Sequence, residues 1–215
     1  MTRRLVTLDL AGALVRLRPH HPGDAAAAFA LLHDEHEILR WLVWDGPSTS
    51  DELGEHYGTW RYDDGAASDL RLAIEERASG ALVGSIALRF GGHPGQGDIG
   101  YWIGRPFQNR GYGREALELA AHLAFRQLGA LSLYAWVFVG NLASRRVLER
   151  AGFTLARTVP GRILKYKKRV DEWHFVLLAS EWRRLRADFR PAHEELVWHD
   201  EPGTLDEPSR PFPSG

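Results

Sequence analysis

Residues 101–116, Tyr101-Trp102-Ile103-Gly104-Arg105-Pro106-Phe107-Gln108-Asn109-Arg110-Gly111-Tyr112-Gly113-Arg114-Glu115-Ala116, constrain this chain more than any other stretch. A strand ends, a turn carries two glycines, and a helix begins. The amides of such a loop and of the first helical turn lack partners inside the helix, and they converge with the positive end of the helix dipole. An anion is favoured at that spot. Gly111 and Gly113 remove the Cβ atoms that would hold a phosphate away, while Arg110 and Arg114 add full positive charge. The plainer alternative is a tight turn and nothing more.

Two nucleotide-binding patterns compete for this segment. A P-loop needs a Gly-Lys-Ser/Thr ending, and Gly113 is followed by Arg114-Glu115, so that reading fails. The dinucleotide fingerprint G-x-G-x-x-G/A is met literally by residues 111–116. It also calls for an acid about 20 residues on, for the ribose. The stretch Trp136 to Gly140 contains none, and hairpin-like strands precede the glycines instead of the start of a βαβ unit. A Rossmann oxidoreductase therefore stays only as a rival.

The rest of the chain sets this segment in a mixed α/β pattern. Leu14 to Arg18 alternates as a strand, Pro19 and Pro22 break it, and an Ala-rich helix follows from about Gly23 to His33. A helical stretch with Trp41 and Trp44 comes next, and the cap residues and acids of Pro47 to Glu52 start a helix running to about Tyr62. The period then changes to two. Strands are predicted at Leu70–Ile74, Ala81–Phe90 and Asp98–Gly104, with turns at Ser79-Gly80 and at residues 91–95. An amphipathic helix from Gly111 to Leu128 ends at Gly129, and the apolar run Leu131–Val139 suits a central strand. A short helix, Asn141–Arg150, closes at Gly152, and strands at Phe153–Val159 and Trp173–Leu178 flank a cationic connection from Arg162 to Arg169. After Trp182 the pattern fades and prolines recur. The predicted organisation is a lead-in over residues 1–13, one domain over 14–182, and a Pro-rich extension over 183–215.

Composition excludes several functions. The 215 residues hold 27 basic and 28 acidic side chains, a net charge of −1 that argues against a nucleic-acid partner. Cysteine is absent, so disulfides, thiolate zinc sites and a cysteine nucleophile are excluded. Arg3-Arg4 resembles the start of a twin-arginine signal, but Asp9 and Arg16 break the apolar stretch that should follow. No run approaches a membrane span, and a cytoplasmic protein is expected. His33 and His36 flank Asp34-Glu35 at a spacing able to chelate, yet no further ligand cluster supports them, and no metal is expected.

Gln108-Asn109-Arg110-Gly111-Tyr112-Gly113 matches the Q/R-x-x-G-x-G/A signature of the GNAT superfamily of acyl-coenzyme A-dependent N-acyltransferases. Asn141-Leu142-Ala143-Ser144-Arg145-Arg146-Val147-Leu148-Glu149-Arg150-Ala151-Gly152-Phe153 resembles the N-x-x-S-x-x-V-L-E-K-x-G-F block of its ribosomal-protein N-terminal acetyltransferase (RimJ/RimL-like) subgroup. Leu17-Arg18-Pro19, residues 80–86, residues 98–103 and Ser180-Glu181-Trp182 echo the same pattern, so the resemblance spans about residues 14 to 182. It implies a mixed α+β GNAT fold. The sheet would be mostly antiparallel, of about six or seven strands, with helices on both faces and a central splay for coenzyme A.

The resemblance also implies roles. Amides and side chains of Gln108, Asn109, Arg110, Gly111, Tyr112, Gly113 and Arg114 would hold the pyrophosphate, and the main chain of Trp102 and Ile103 would meet the pantetheine arm and thioester. Asn141 would bond the pantetheine, although Asn is also a favoured helix cap. Many GNAT enzymes place a proton-donating Tyr where this chain has Leu148, so the donor to the leaving thiolate becomes Ser144, as in the subgroup. Asp98 stands near the place of the usual glutamate, one methylene shorter, as base or water holder. Trp41, Trp44 and Tyr166, with Asp45, Arg162 and Lys165, would line the acceptor side.

The expected activity is acetyl transfer from acetyl-coenzyme A, without metal, to a primary amine by direct attack in a ternary complex. The acceptor would be a protein N-terminal α-amine or a small-molecule amine. Polyamine, aminoglycoside, amino acid or aminoacyl nucleotide acceptors, and an idle coenzyme A-binding module, are the alternatives. No membrane partner is expected, and a homodimer is allowed.

Overall fold

The computed structural model describes residues 2–57, 68–91 and 93–201. The predicted end of the third helix at residues 58–62, Gly92 of the 91–95 loop and the tail beyond residue 201 lie outside the described residues. In chain order the elements are β1 (Thr2–Ala11), β2 (Val15–Pro19), α1 (Asp24–Leu32), α2 (His36–Leu39), α3 (Ser50–Tyr57), β3 (Ser68–Glu76), β4 (Leu82–Phe90) and β5 (Gln96–Ile103). There follow α4 (Tyr112–His122), β6 (Ser132–Phe138), α5 (Leu142–Ala151), β7 (Thr154–Lys165), β8 (Lys168–Leu178), α6 (Ala179–Leu185) and β9 (His193–Glu201).

The described strands form one nine-stranded sheet in the order β7-β8-β6-β5-β4-β3-β2-β1-β9. The expected mixed α+β architecture is present, but the expectation of six or seven strands is too low. The two extra strands come from the ends of the chain. β1 meets β2 only at Leu10 and Ala11, and along its length it pairs with β9 from the C-terminal segment. That segment reads as irregular in sequence because Pro191 opens it and only Leu196 and Trp198 turn toward the core.

Helices cover both faces. On one, α4 buries Ala116, Leu117, Leu119, Ala120 and Ala121 against Ile86, Leu88, Ile99 and Leu133, an apolar stripe at helical spacing. On the other, α1 and α3 bring Ala25, Ala28, Leu53 and Tyr57 onto Ala73 and Leu82. Among the described residues no helix is long and apolar enough to cross a membrane.

Two further local expectations are corrected. Trp41 and Trp44 lie in the connection after α2, which is a single turn ending at Leu39. The cationic segment 162–169 is strand, not connection. β7 and β8 continue through it to a two-residue turn at Tyr166-Lys167, both at positive φ (47° and 62°). Charged side chains on an exposed strand face hid the period.

The sheet opens at one seam. β5 and β6 are parallel neighbours that pair only at Gln96–Asp98 with Ser132–Tyr134. β5 runs on to Ile103 and β6 to Phe138, so their facing edges part. β4 and β8 still hold the outer edges of the two strands over that length. The parting is a wedge in an otherwise continuous sheet.

Candidate active site

The wedge is the floor of a cleft of about 1610 Å³. Ile99 to Ile103 and Ala135 to Phe138 line it from the parting strands, and Gln108, Asn109, Gly111, Tyr112, Gly113 and Arg114 close one end. Asn141 and Ser144 of α5 flank it, and Trp41, Trp44 and Tyr57 border the other side. Of the residues predicted from sequence, Asp98, Trp102, Ile103, Gln108, Asn109, Gly111, Tyr112, Gly113, Arg114, Asn141, Ser144, Trp41 and Trp44 are thus brought together. Arg110 and Tyr166 fall outside the lining. The Arg110 guanidinium sits 5.8 Å from the Phe107 ring, and Tyr166 stacks on His36 at 5.7 Å.

The glycine-loop end of the cleft is built by the start of α4. Gly111, its cap residue, has φ 87° and ψ −9°, left-handed backbone that glycine adopts freely. No side chain caps this end, so the amides of the first turn keep their donors for something else. Gln108 Nε2 donates to Ile103 O at 3.0 Å, tying the loop to the end of β5. Arg114 leans back on Glu118, with Nε at 3.1 Å from its carboxylate.

Glu115, which the motif analysis passed over, fixes the position of this helix. Its carboxylate accepts from the backbone N–H groups of Ala13 (2.9 Å), Leu14 (2.7 Å) and Val15 (2.7 Å). A Cβ on Gly12 would stand 2.4 Å from Glu115 Cδ, which is why the turn before β2 has glycine there. The start of α4 is thereby locked to the β1–β2 turn.

Asn141 caps α5, its Oδ1 accepting from Ser144 N at 3.1 Å. Ser144 Oγ lies 3.4 Å from Tyr101 OH, the donor of that pair. Burial pushes the Tyr101 hydroxyl up to about 12, against a smaller opposing pull from Ser144. Tyr101 is a second residue that motif reading missed. The period of two in β5 was the available signal, since it puts Tyr101 on the same face as Ile99 and Ile103, toward α4 and α5.

The other side of the cleft is a mosaic of compensated charges. Asp98 accepts from Arg89, whose Nε is 3.0 Å away and whose second nitrogen makes a shorter contact. Glu172, almost fully buried, pairs with Arg162, and that guanidinium lies 3.8 Å over the Trp136 ring. Glu52 accepts from Ser48 N at 2.8 Å, and Glu37 lies 3.6 Å from Arg40. Lys165, buried on β7, donates to Trp44 O at 2.9 Å and to the Asp45 carboxylate. That contact ties the Trp44 loop to the late hairpin.

His33 and His36 do not converge. His33 pairs with Asp34 at 3.3 Å and stacks on Phe29, whereas His36 stacks on Tyr166. Among the described residues, Asp9, His193 and Glu195 do approach within 4.8 Å at the β1–β9 edge, where Arg16 engages both oxygens of Asp9.

Known proteins resemble the whole arrangement. The family profile described as an acetyltransferase (GNAT) domain matches residues 15–154. YdaF of Bacillus subtilis (strain 168), provisionally named a ribosomal N-acetyltransferase, is 27% identical over 174 residues, which are 78% of this chain and 93% of that protein. Mycobacterium smegmatis RimJ in complex with CoA-disulfide superposes with a TM-score of 0.69 at 21% identity, covering 86% of this chain and 93% of that one. Vibrio cholerae spermidine N-acetyltransferase in complex with CoA and spermine gives 0.67 at 20% identity, over 78% and 97% of the two chains.

Proposed function

The chain belongs to the GNAT acetyltransferase family and is an N-acetyltransferase; from that premise we propose that it transfers acetyl from acetyl-coenzyme A to a peptide or protein N-terminal α-amine. One observation carries the choice of acceptor. Among the described residues, the carboxylates lining the cleft are already engaged: Asp98 by Arg89, Glu172 by Arg162, Glu52 by a backbone amide, with Glu37 near Arg40. A polyamine brings several cations and needs several unpaired anions, whereas a peptide brings one ammonium followed by a neutral chain. The aromatic border of Trp41, Trp44 and Tyr57 suits apolar side chains behind that ammonium. The provisional name of YdaF, ribosomal N-acetyltransferase, supports a protein acceptor, and that of the spermidine enzyme the alternative.

Acetyl-coenzyme A supplies the thioester. The bare amide donors at the start of α4, with Arg114 and Gln108 beside them, fit its pyrophosphate, and the parted edges of β5 and β6 fit an amide-bearing arm that pairs like a strand. Ser144 donates a proton to the departing thiolate while the Tyr101 hydroxyl, which keeps its own proton, donates a hydrogen bond to Ser144 Oγ, and Ser144 regains its proton from solvent. Asp98, held by Arg89, offers its remaining acceptor capacity to the entering amine or its water. An α-amine needs little help to lose its proton, with a pKa near 8 against about 10.4 for lysine. With no cysteine in the chain, the only thiol in this reaction is the coenzyme's.

Thiol release from acetyl-coenzyme A over a panel of peptides with free N-termini, their N-blocked forms and spermidine tests this. Turnover confined to free-N-terminal peptides is expected, and turnover with spermidine alone would overturn the acceptor assignment.

A further inference from the structure

His20 is 6% exposed and has no part in the chemistry above. Its ring stacks on Tyr57, with centroids 3.7 Å apart and planes 6° from parallel. Nε2 lies 2.9 Å from Ser85 Oγ. Nδ1 is buried and has no hydrogen-bond partner among the described residues, with Asp24 Oδ2 3.6 Å away. Asp24 in turn is held by both terminal nitrogens of Arg18, at 2.7 and 2.9 Å, and by His21 N at 2.9 Å. Ser85 and Tyr57 line the cleft, and the β4–β5 register sets Ser85 opposite Trp102. The series Asp24, His20, Ser85 thus runs from the α1 end of the fold to the wall of the site.

The direction of the protons follows from the neighbours. Ser85 Oγ has a second candidate acceptor, Leu72 O at 3.1 Å. With the imidazole proton on Nε2, Ser85 would donate to Leu72 O, and the bare Nδ1 lone pair would face a buried carboxylate. With the proton on Nδ1, an N–H faces Asp24 instead, Nε2 accepts from Ser85, and the lone pairs of Ser85 are free for the cleft. Electrostatics favours the second arrangement. The groups facing the ring are Asp24 and His21 of the α1 start, Arg18 of β2, Tyr57 of α3 and Ser85 of β4. Burial holds the His20 pKa below its ordinary value, outweighing the pull of Asp24, so the ring is neutral and Nε2 is free to accept in the favoured tautomer.

We propose that His20, acting through Ser85, accepts the proton that the acceptor amine releases. The amine nitrogen forms its bond to the thioester carbonyl carbon and its N–H proton passes to Ser85 Oγ while the Ser85 proton passes to Nε2. The C–S bond breaks, and the coenzyme sulfur takes its proton from Ser144. One proton moves from amine to thiol overall: before the next turn His20 returns its proton to solvent and Ser144 regains one from solvent. The inference rests on acetyl transfer to a primary amine and deepens it by naming where the proton goes.

Imidazole ¹H–¹⁵N spectra of ¹⁵N-histidine-labelled protein read the arrangement without any acceptor. A neutral Nδ1–H tautomer for His20, perturbed in Ser85→Ala, is expected, and an Nε2–H tautomer would overturn the relay. The second arm measures kcat/KM against pH with whichever primary amine is turned over. In the wild type it falls as pH drops through the lowered His20 pKa. Ser85→Ala and His20→Gln should lose about 100-fold near pH 7.5 and lose that acid limb. Ser85→Thr should retain the limb, the double variant should be no slower than either single one, and stabilisation by acetyl-coenzyme A should persist in all. Turnover by Ser85→Ala within threefold of wild type, or a uniform loss with the limb intact, would overturn the proposal. Silence with every amine would count against acetyl transfer itself, and the tautomer would still decide the relay.

Discussion

Replacing Gly111 by Ala separates the two burdens this residue carries. Its φ of 87° lies in the left-handed region, where a side chain costs about 1–3 kcal/mol. The new Cβ would stand 3.2 Å from Leu14 Cδ1, the free end of a flexible side chain, so steric cost adds little. At about 2–4 °C per kcal/mol for a chain of this size, Tm should fall by roughly 2–12 °C. The second burden is the aim of the first α4 amides. If Ala pulls φ back to negative values, at least one charge-assisted contact to the pyrophosphate is lost, about 1.5–3 kcal/mol or 10- to 150-fold in affinity. Gly129→Ala supplies the control, since Gly129 has φ 71°, nothing within 4 Å of its Cβ, and no place in the cleft. Calorimetric titration with acetyl-coenzyme A should therefore show weakened binding in Gly111→Ala alone, though both variants melt early. Equal affinities in the two variants would refute the assignment of the anion to this helix start.

Ser144→Ala should lower kcat about 100-fold with acetyl-coenzyme A affinity unchanged, and Tyr101→Phe should lower it less; wild-type turnover in Ser144→Ala, read by thiol release, would retire it as the acid. Glu115→Ala removes the acceptor of three backbone N–H groups. Water can rescue those that reach solvent, so the expected loss is about 2–3 kcal/mol by urea melting. Asp24 has a folded pKa held below its ordinary value: burial would raise it, but Arg18, His20 and the backbone of His21 prevail. Its stabilisation is therefore complete above the unfolded pKa of about 3.9 and is lost as pH falls through the folded value. Asp24→Asn should cost about 3–5 kcal/mol at pH 7, and the gap to wild type in urea melts should narrow below pH 4.

The parts of the fold that sequence pattern exposes are those where a local rule and a tertiary role coincide. α4 shows a 3.6 period because one of its faces meets the sheet, and β6 is a continuous apolar run because it is covered on both sides. The late hairpin breaks the coincidence. Thr154, Thr158, Arg157 and Arg169 face water, so β7 and β8 look like charged connection, and only backbone pairing makes them strands. β1 and β9 fail for another reason. Each half is unremarkable alone, and the signal is their pairing across more than 180 residues, from Thr2 opposite Glu201 to Ala11 opposite His193. No window along the sequence contains it.

The site divides the same way. The loop and helix start at one end of the cleft were legible because they are made of main-chain features: glycines, a helix start and nearby basic residues lie within one stretch of 16 residues, 101–116. Proton handling was not, because it depends on what each side chain faces. Asp98 looks like a free carboxylate in sequence and is paired with Arg89 across the β4–β5 ladder, a cross-strand partner set by register alone. Ser85 looks like an unremarkable strand residue until the fold sets His20 at 2.9 Å from it, from 65 positions away. Ionisable groups inside a cleft owe their protonation to burial and neighbours, so long-range pairing decides them. Where the described carboxylates of the cleft are held by basic partners or a backbone amide, the proposed path for the amine's proton runs through Ser85 to His20, a buried ring 2.9 Å behind the cleft wall.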